Sequence, residues 1–147
     1  PFAGEAVAPR PAVGAGGAAV AFDDKARRPV GADAYGIAVL TGLTAERAED
    51  TVISNITRLP GPAELTVRLI QASLVAARRS GHAIMRAPLT RRISLAVPLR
   101  DATGRIVAAL GLDDLPAETG SLLPAGGLIG PLLREARGLE EALRRLS

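Results

Sequence analysis

The 147-residue sequence has no cysteine and no tryptophan, a single methionine and a single histidine, and only Phe2, Phe22 and Tyr35 as aromatic residues. The missing cysteines exclude disulfides, thiolate metal ligands and a cysteine nucleophile together. With His82 alone, a metal site would have to be built from carboxylates and a Ser/His/acid triad would have one base, with no partner spacing around it. Its ordinary reading is a partly exposed strand or loop residue. Three scattered aromatics make no base-stacking platform. Lysine is nearly absent: all but Lys25 of the 18 basic residues are arginines, and the formal net charge is only +3. Those arginines are dispersed and alternate with Asp and Glu in the C-terminal third, so no basic stripe follows a phosphate backbone. No apolar run approaches the ~20 residues of a membrane span, and the N-terminus lacks a signal-peptide pattern. The length suits one domain with a sizeable core. The reading is a soluble cytoplasmic chain with no membrane partner, no direct nucleic-acid contact and no enzyme activity.

What is present is best seen in Arg91 to Asp113. Ile93, Leu95, Val97 and Leu99 alternate, and after Asp101-Ala102-Thr103-Gly104 so do Ile106, Ala108, Leu110 and Leu112, the period-two pattern of a β-hairpin. If Arg100 and Arg105 close a four-residue turn, Ser94 faces Gly111, Ala96 faces Ala109 and Arg92 faces Asp113. One side of the ribbon is then rich in Leu and Ile, and the other is a small floor with a polar end. Small strand residues more often admit a closely packed helix; a bound ligand is the other use.

Residues 1–17 combine Pro1, Pro9 and Pro11 with small residues and no sustained period, which reads as an extended or partly mobile arm. Its Gly14-Ala15-Gly16-Gly17 lacks the Lys-Ser/Thr of a phosphate loop. Ala18 to Phe22 is a candidate short strand, ended by Asp23-Asp24-Lys25. Asp33 is a candidate N-cap for a helix over Ala34 to Thr41, and Thr44 for a helix carrying Ala48, Val52, Ile56 and Leu59, closed by Pro60-Gly61-Pro62. Residues 63–80 form the clearest helix. Leu65, Leu69, Ala72 and Ala76 make one apolar stripe, widened by Val67, Ile70, Leu74 and Ala77. The adjacency of these two helices superficially suggests a helix-turn-helix, but the second is too apolar to read base edges. His82 to Arg86 is a candidate strand, residues 114–121 a polar loop, and a last helix runs from about Pro131 with Leu132, Ala136, Leu139, Leu143 and Leu146 buried. Asp113-Asp114 is either a cation ligand pair or a polar turn.

Two blocks carry a family likeness. RRPVGADAYGIAVLTGL and, further on, ARRSGHA through ISLAVPLRDATGRIVAALGL resemble the C-terminal effector-binding domain of the IclR family of bacterial transcriptional regulators, over roughly residues 18–147. The resemblance implies an α/β (α+β) class, a GAF-like antiparallel sheet flanked by helices that mediate homodimer or homotetramer contacts. It implies a small-molecule effector, with small organic acids as one class, and no cofactor or metal. Family pocket positions fall on Val20, Ala34, Tyr35, Met85, Ser94, Gly111 and Asp113, with backbone N–H groups at the start of the Ala34 helix as anion donors. The family's acidic residue is replaced near Met85, and its small hydroxyl residues near Gly111 and Asp113. DNA would be reached only through a winged helix-turn-helix that this chain does not contain. The alternative is a dimerisation scaffold on the same fold, its pocket filled by Tyr35 or Met85.

Overall fold

The chain is seen in a computed structural model, which describes residues 5–7, 27–59, 61–87, 90–121 and 127–146. Its elements are β1 (Glu5–Val7), β2 (Arg27–Pro29), α1 (Ala34–Leu40), α2 (Ala45–Asn55), α3 (Ala63–Ser80), β3 (Ala83–Arg86), β4 (Ile93–Arg100), β5 (Ile106–Leu115) and α4 (Ile129–Leu146). Short 3-10 turns follow α2 at Ile56–Arg58 and β5 at Ala117–Ser121. Strands β3, β4 and β5 form an antiparallel sheet in that order, and β1 pairs antiparallel with β2. Thus Glu5–Val7, within the Pro-rich segment, is paired backbone. The candidate strand Ala18 to Phe22 lies outside the described residues.

Helix boundaries follow local chemistry. The Asp33 carboxylate accepts from Gly36 N to open α1, and the Thr44 hydroxyl accepts from Arg47 N to open α2. Gly81, at φ +82°, closes α3 in the left-handed region. The apolar face of α3 differs from the expected one. Ile70, Leu74 and Ala77 are buried, whereas Leu65 and Leu69 are 54% and 52% exposed and Ala72 and Ala76 lie outward. Two neighbouring stripes compete on this helix, and α1, α2 and β3 all pack from the side of Ile70 and Leu74. Helix α4 begins at Ile129, two residues before Pro131, and buries Leu132 and Ala136. Its later stripe residues are more open: Leu139 is half exposed and Leu146 is 86% exposed.

The hairpin keeps its faces but not its pairing. Ala96 pairs with Gly111 and Pro98 with Ala109, so the β4 residues from Leu95 to Leu99 meet partners two positions later than expected. Two local features cause this. The loop has five residues, Asp101 to Arg105, because Asp101 N donates to Arg105 O while the Asp101 carboxylate accepts from Thr103 N, Thr103 Oγ1 and Arg105 N. A bulge between Leu99 and Arg100 then adds one more residue. A two-residue slip leaves every side chain on its side, whereas a one-residue slip would have reversed them all. A second irregularity sets Ser94 opposite Asp113-Asp114, since Leu95 pairs with Leu112 and Ile93 with Leu115. The expected polar loop therefore starts later, as β5 runs to Leu115.

Each face of the sheet has its own core. Ala83, Ala96 and Ala109 join Val30, Ala34, Ile37, Ala38 and Leu40 under α1, together with Ile70 and Leu74 of α3. Ile93, Leu95, Val97 and Leu99 join Leu132 and Ala136 of α4 on the other side. The α+β class with an antiparallel sheet flanked by helices is what the structure has.

Candidate functional site

The small face of β4 places a buried hydroxyl, Ser94 at 5% exposure, under the start of α1. Ser94 Oγ accepts from Ala34 N at 2.8 Å and donates to Met85 O at 3.5 Å, Met85 being its cross-strand partner on β3. A hydrogen-bonded chain thus runs from the helix start through β4 to β3. The backbone reaches this position because Gly31, at φ +102°, turns the chain just before α1; a Cβ there would lie 2.7 Å from Ile70 Cδ1.

Three of the seven sequence-derived positions, Ala34, Ser94 and Met85, are brought together directly. Tyr35 is the next residue of α1 and is buried in the same core. Gly111 lies beside Ala96 on β5, and its lack of a side chain has a structural cause: an added Cβ would fall 2.1 Å from Leu95 O. Asp113 lies beyond it in the bulge, where its carboxylate accepts from Asp114 N at 2.8 Å. Val20 lies outside the described residues.

Two expectations are corrected. Arg92 pairs with Asp114, not Asp113: Arg92 Nε donates to Asp114 Oδ1 at 2.9 Å, and Nη2 donates to Asp114 O. The bulge, with Asp114 at φ 55°, brings that residue round to the arginine. Two of the N–H groups at the start of α1 are not open to an anion either, because Ala34 N and Gly36 N already donate to Ser94 and to Asp33. Among the described residues every buried side-chain nitrogen or oxygen has a hydrogen-bond partner, and no group of three His, Cys, Asp or Glu side chains is placed to hold a metal. No described helix is long and apolar enough to cross a membrane.

The open space lies to one side of this chain of hydrogen bonds. A cleft of about 220 Å³ is bounded by Gly31 and Ala32 of the turn, Leu59, Leu69, Ile70 and Ser73 around α3, and Ile84, Met85 and Arg86 of β3. Ser73 Oγ donates to Met85 Sδ at 3.4 Å across it. Met85 belongs both to the cleft wall and to the Ser94 chain. Of the lining residues named, only Met85 stood out in the sequence. The others come from a turn, a helix and a strand that are far apart along the chain and follow no shared period. A second cleft, of about 330 Å³, lies between α2 and α3 against Ala48, Val52 and Val67.

Comparison with solved structures bears on the fold. A transcriptional regulator of Rhodococcus sp. RHA1 superposes with TM-score 0.70 at 22% identity, over 87% of this chain and 53% of its own. An IclR homologue of Microbacterium hydrocarbonoxydans, solved in complex with 4-hydroxybenzoate, superposes with TM-score 0.67 at 24% identity, over 88% of this chain and 52% of its own. The fold is that of IclR-family regulators. The IclR-type fold appears again in the C-terminal domain of the Escherichia coli regulator KdgR, with TM-score 0.62 at 16% identity, over 82% of this chain and 74% of that one. The chain spans about half the length of the first two regulators. No protein-family model matches the sequence, and no curated protein is significantly similar to it.

Proposed function

We propose that this chain is the effector-sensing domain of an IclR-type transcriptional regulator, and that its occupant is a small, largely apolar molecule seated beside Met85. The observation that carries this reading is the cleft between the Gly31 turn, α3 and β3, in a fold of which one relative is complexed with 4-hydroxybenzoate. At about 220 Å³ it is smaller than the ~300–1,000 Å³ of pockets for drug-sized ligands, which suits a one-ring molecule. Leu59, Leu69, Ile70 and Ile84 supply apolar walls, and Arg86 a cationic partner for a carboxylate. An occupant that displaces Met85 acts on Ser94, and through Ser94 on the start of α1. Tyr35, Gly111 and Asp113 belong to the same site in this reading, and Val20, carried over by resemblance, lies outside the described residues. In this reading residues 18–147 are the sensor and residues 1–17 an arm. The domain works in the cytoplasm as a homodimer or homotetramer, without cofactor or catalysis, and its ligand alters DNA binding by a winged helix-turn-helix outside this chain.

A second reading, a scaffold without a ligand, is favoured by the α1 start, where Ser94 and Asp33 already hold the N–H groups of Ala34 and Gly36. Thermal denaturation with benzoate, 4-hydroxybenzoate, aliphatic acids, sugars and amines separates the two. A ligand at about 100 times its Kd adds ~2.7 kcal/mol, a visible shift in midpoint. A shift lost in Ser73→Leu, which fills the cleft, is the expected result. No shift from any class, with Ser73→Leu as stable as the parent, establishes the scaffold instead.

A further inference from the structure

The sequence contains one sulfur atom, since it has a single methionine and no cysteine, and the residue that carries it, Met85, lines the cleft. We propose that Met85 is a peroxide-oxidation site, and that its conversion to the sulfoxide closes the cleft to apolar occupants. The closure rests on the cleft being the effector site; the modification does not.

Met85 is only partly buried and borders an open-sided space, so a molecule as small as hydrogen peroxide reaches it, whereas a methionine within a packed core is shielded. The thioether sulfur has two lone pairs, and the Ser73 hydroxyl donates to one side of it at 3.4 Å. The other lone pair attacks a peroxide oxygen. The O–O bond breaks as an S–O bond forms, sulfur is oxidised by two electrons, and the peroxide is reduced to water, which keeps both peroxide protons. Because Ser73 covers one side, the protein directs oxidation to one of the two sulfoxide epimers. The product sets a strong dipole among Leu59, Leu69, Ile70 and Ile84, where an apolar ligand would leave it unsolvated. The backbone of Met85 is also one end of the hydrogen-bonded chain to α1, so the change occurs where an occupant would act. Sulfoxide reduction restores the thioether, which makes the modification reversible.

The test uses the full chain with methyl-labelled methionine, whose single methyl resonance reports oxidation and occupancy together. With hydrogen peroxide the expected result is oxidation at a rate comparable to that of a methionine peptide, with one sulfoxide epimer predominant. Ser73→Ala should give both epimers in near-equal amounts. Added benzoate should shift the methyl resonance before oxidation and not after. Resistance to peroxide, or the same epimer ratio in parent and Ser73→Ala, overturns the modification site. A benzoate response unchanged by oxidation overturns the closure. Absence of any benzoate response before oxidation overturns the cleft reading and the closure together, while the epimer ratio still decides the modification. Met85→Leu, treated alongside, must keep its mass and thermal midpoint through the peroxide step; a fall in either assigns the effect to damage elsewhere and overturns the proposal.

Discussion

The two faces of the β3–β4–β5 sheet are packed by opposite rules. Toward α1 it presents Ala83, Met85, Ser94, Ala96, Ala109 and Gly111; toward α4 it presents Ile93, Leu95, Val97, Leu99, Ala108 and Leu110. On the small face the helix comes so close that a strand hydroxyl caps its first N–H, and a Cβ on Gly111 would strike the neighbouring strand. On the large face Ile93, Leu95, Val97 and Leu99 pack against Leu132 and Ala136 of α4, so stability there comes from packed apolar volume. The small face is therefore intolerant of added atoms and sensitive to polar loss, and the large face is intolerant of deletion. Polar and open positions gather at the margin of the small face, beside Met85, while the margin of the large face is the exposed end of α4.

That contrast can be broken in five places. Gly111→Val should be the most damaging change, about 4 kcal/mol or more, because the added Cβ meets backbone that cannot swing aside; urea denaturation that finds it nearly neutral would refute the close approach. Leu95→Ala removes a fully buried side chain from the other face and should cost about 2–5 kcal/mol with the fold retained. Ser94→Ala should cost about 1–3 kcal/mol, since Ala34 N loses its acceptor away from water, and amide exchange at Ala34 should quicken well before global unfolding. Leu69→Gln should lie within about 0.5 kcal/mol of the parent, because the residue is half exposed; a loss as large as that expected of Leu74→Ala would put the buried stripe of α3 on the wrong side. The smallest effect belongs to the hairpin loop. Hydrogen bonds from Thr103, and the neighbouring Arg105, hold the Asp101 carboxyl below its ordinary 3.8. A lowered folded pKa contributes stability that is present above about pH 4 and is lost as pH falls through the folded value. Asp101→Asn should therefore flatten the acid limb of a stability–pH profile slightly and leave the neutral region unchanged in shape.

Local readings from the sequence held where short-range chemistry decides the outcome. Asp33 and Thr44 cap their helices, residues 63–80 form the expected helix, and the alternation of Ile93 to Leu99 sorts the sheet into its two faces. They failed where two local solutions were close in energy. The four-residue turn lost to a five-residue loop because the Asp101 carboxylate satisfies three donors there. The stripe begun by Leu65 lost to its neighbour because, among the described residues, α1, α2 and β3 pack on the side of Ile70 and Leu74. For the candidate site, Ala34, Met85 and Ser94 were legible through the family resemblance, and Ser94 also through the alternation that put it on the small face. Ser73, Gly31 and Leu59 were not, since each has an ordinary local role that fully explains its type.

What the amino-acid order determined by itself was the helices α1 to α4, the strands β3 to β5 and which side chains share a strand face, because period, capping and turn preferences act within a few residues; the β1–β2 pairing was not among them. Which helix covers which face, whether a donor at the start of α1 is open or taken, and where a cavity remains were decided only by the tertiary structure. Those depend on volumes meeting across the sheet: the small Ala96 lies under α1 and Ser94 reaches Ala34, and a cleft is left at the edge where α3 and β3 meet around Met85.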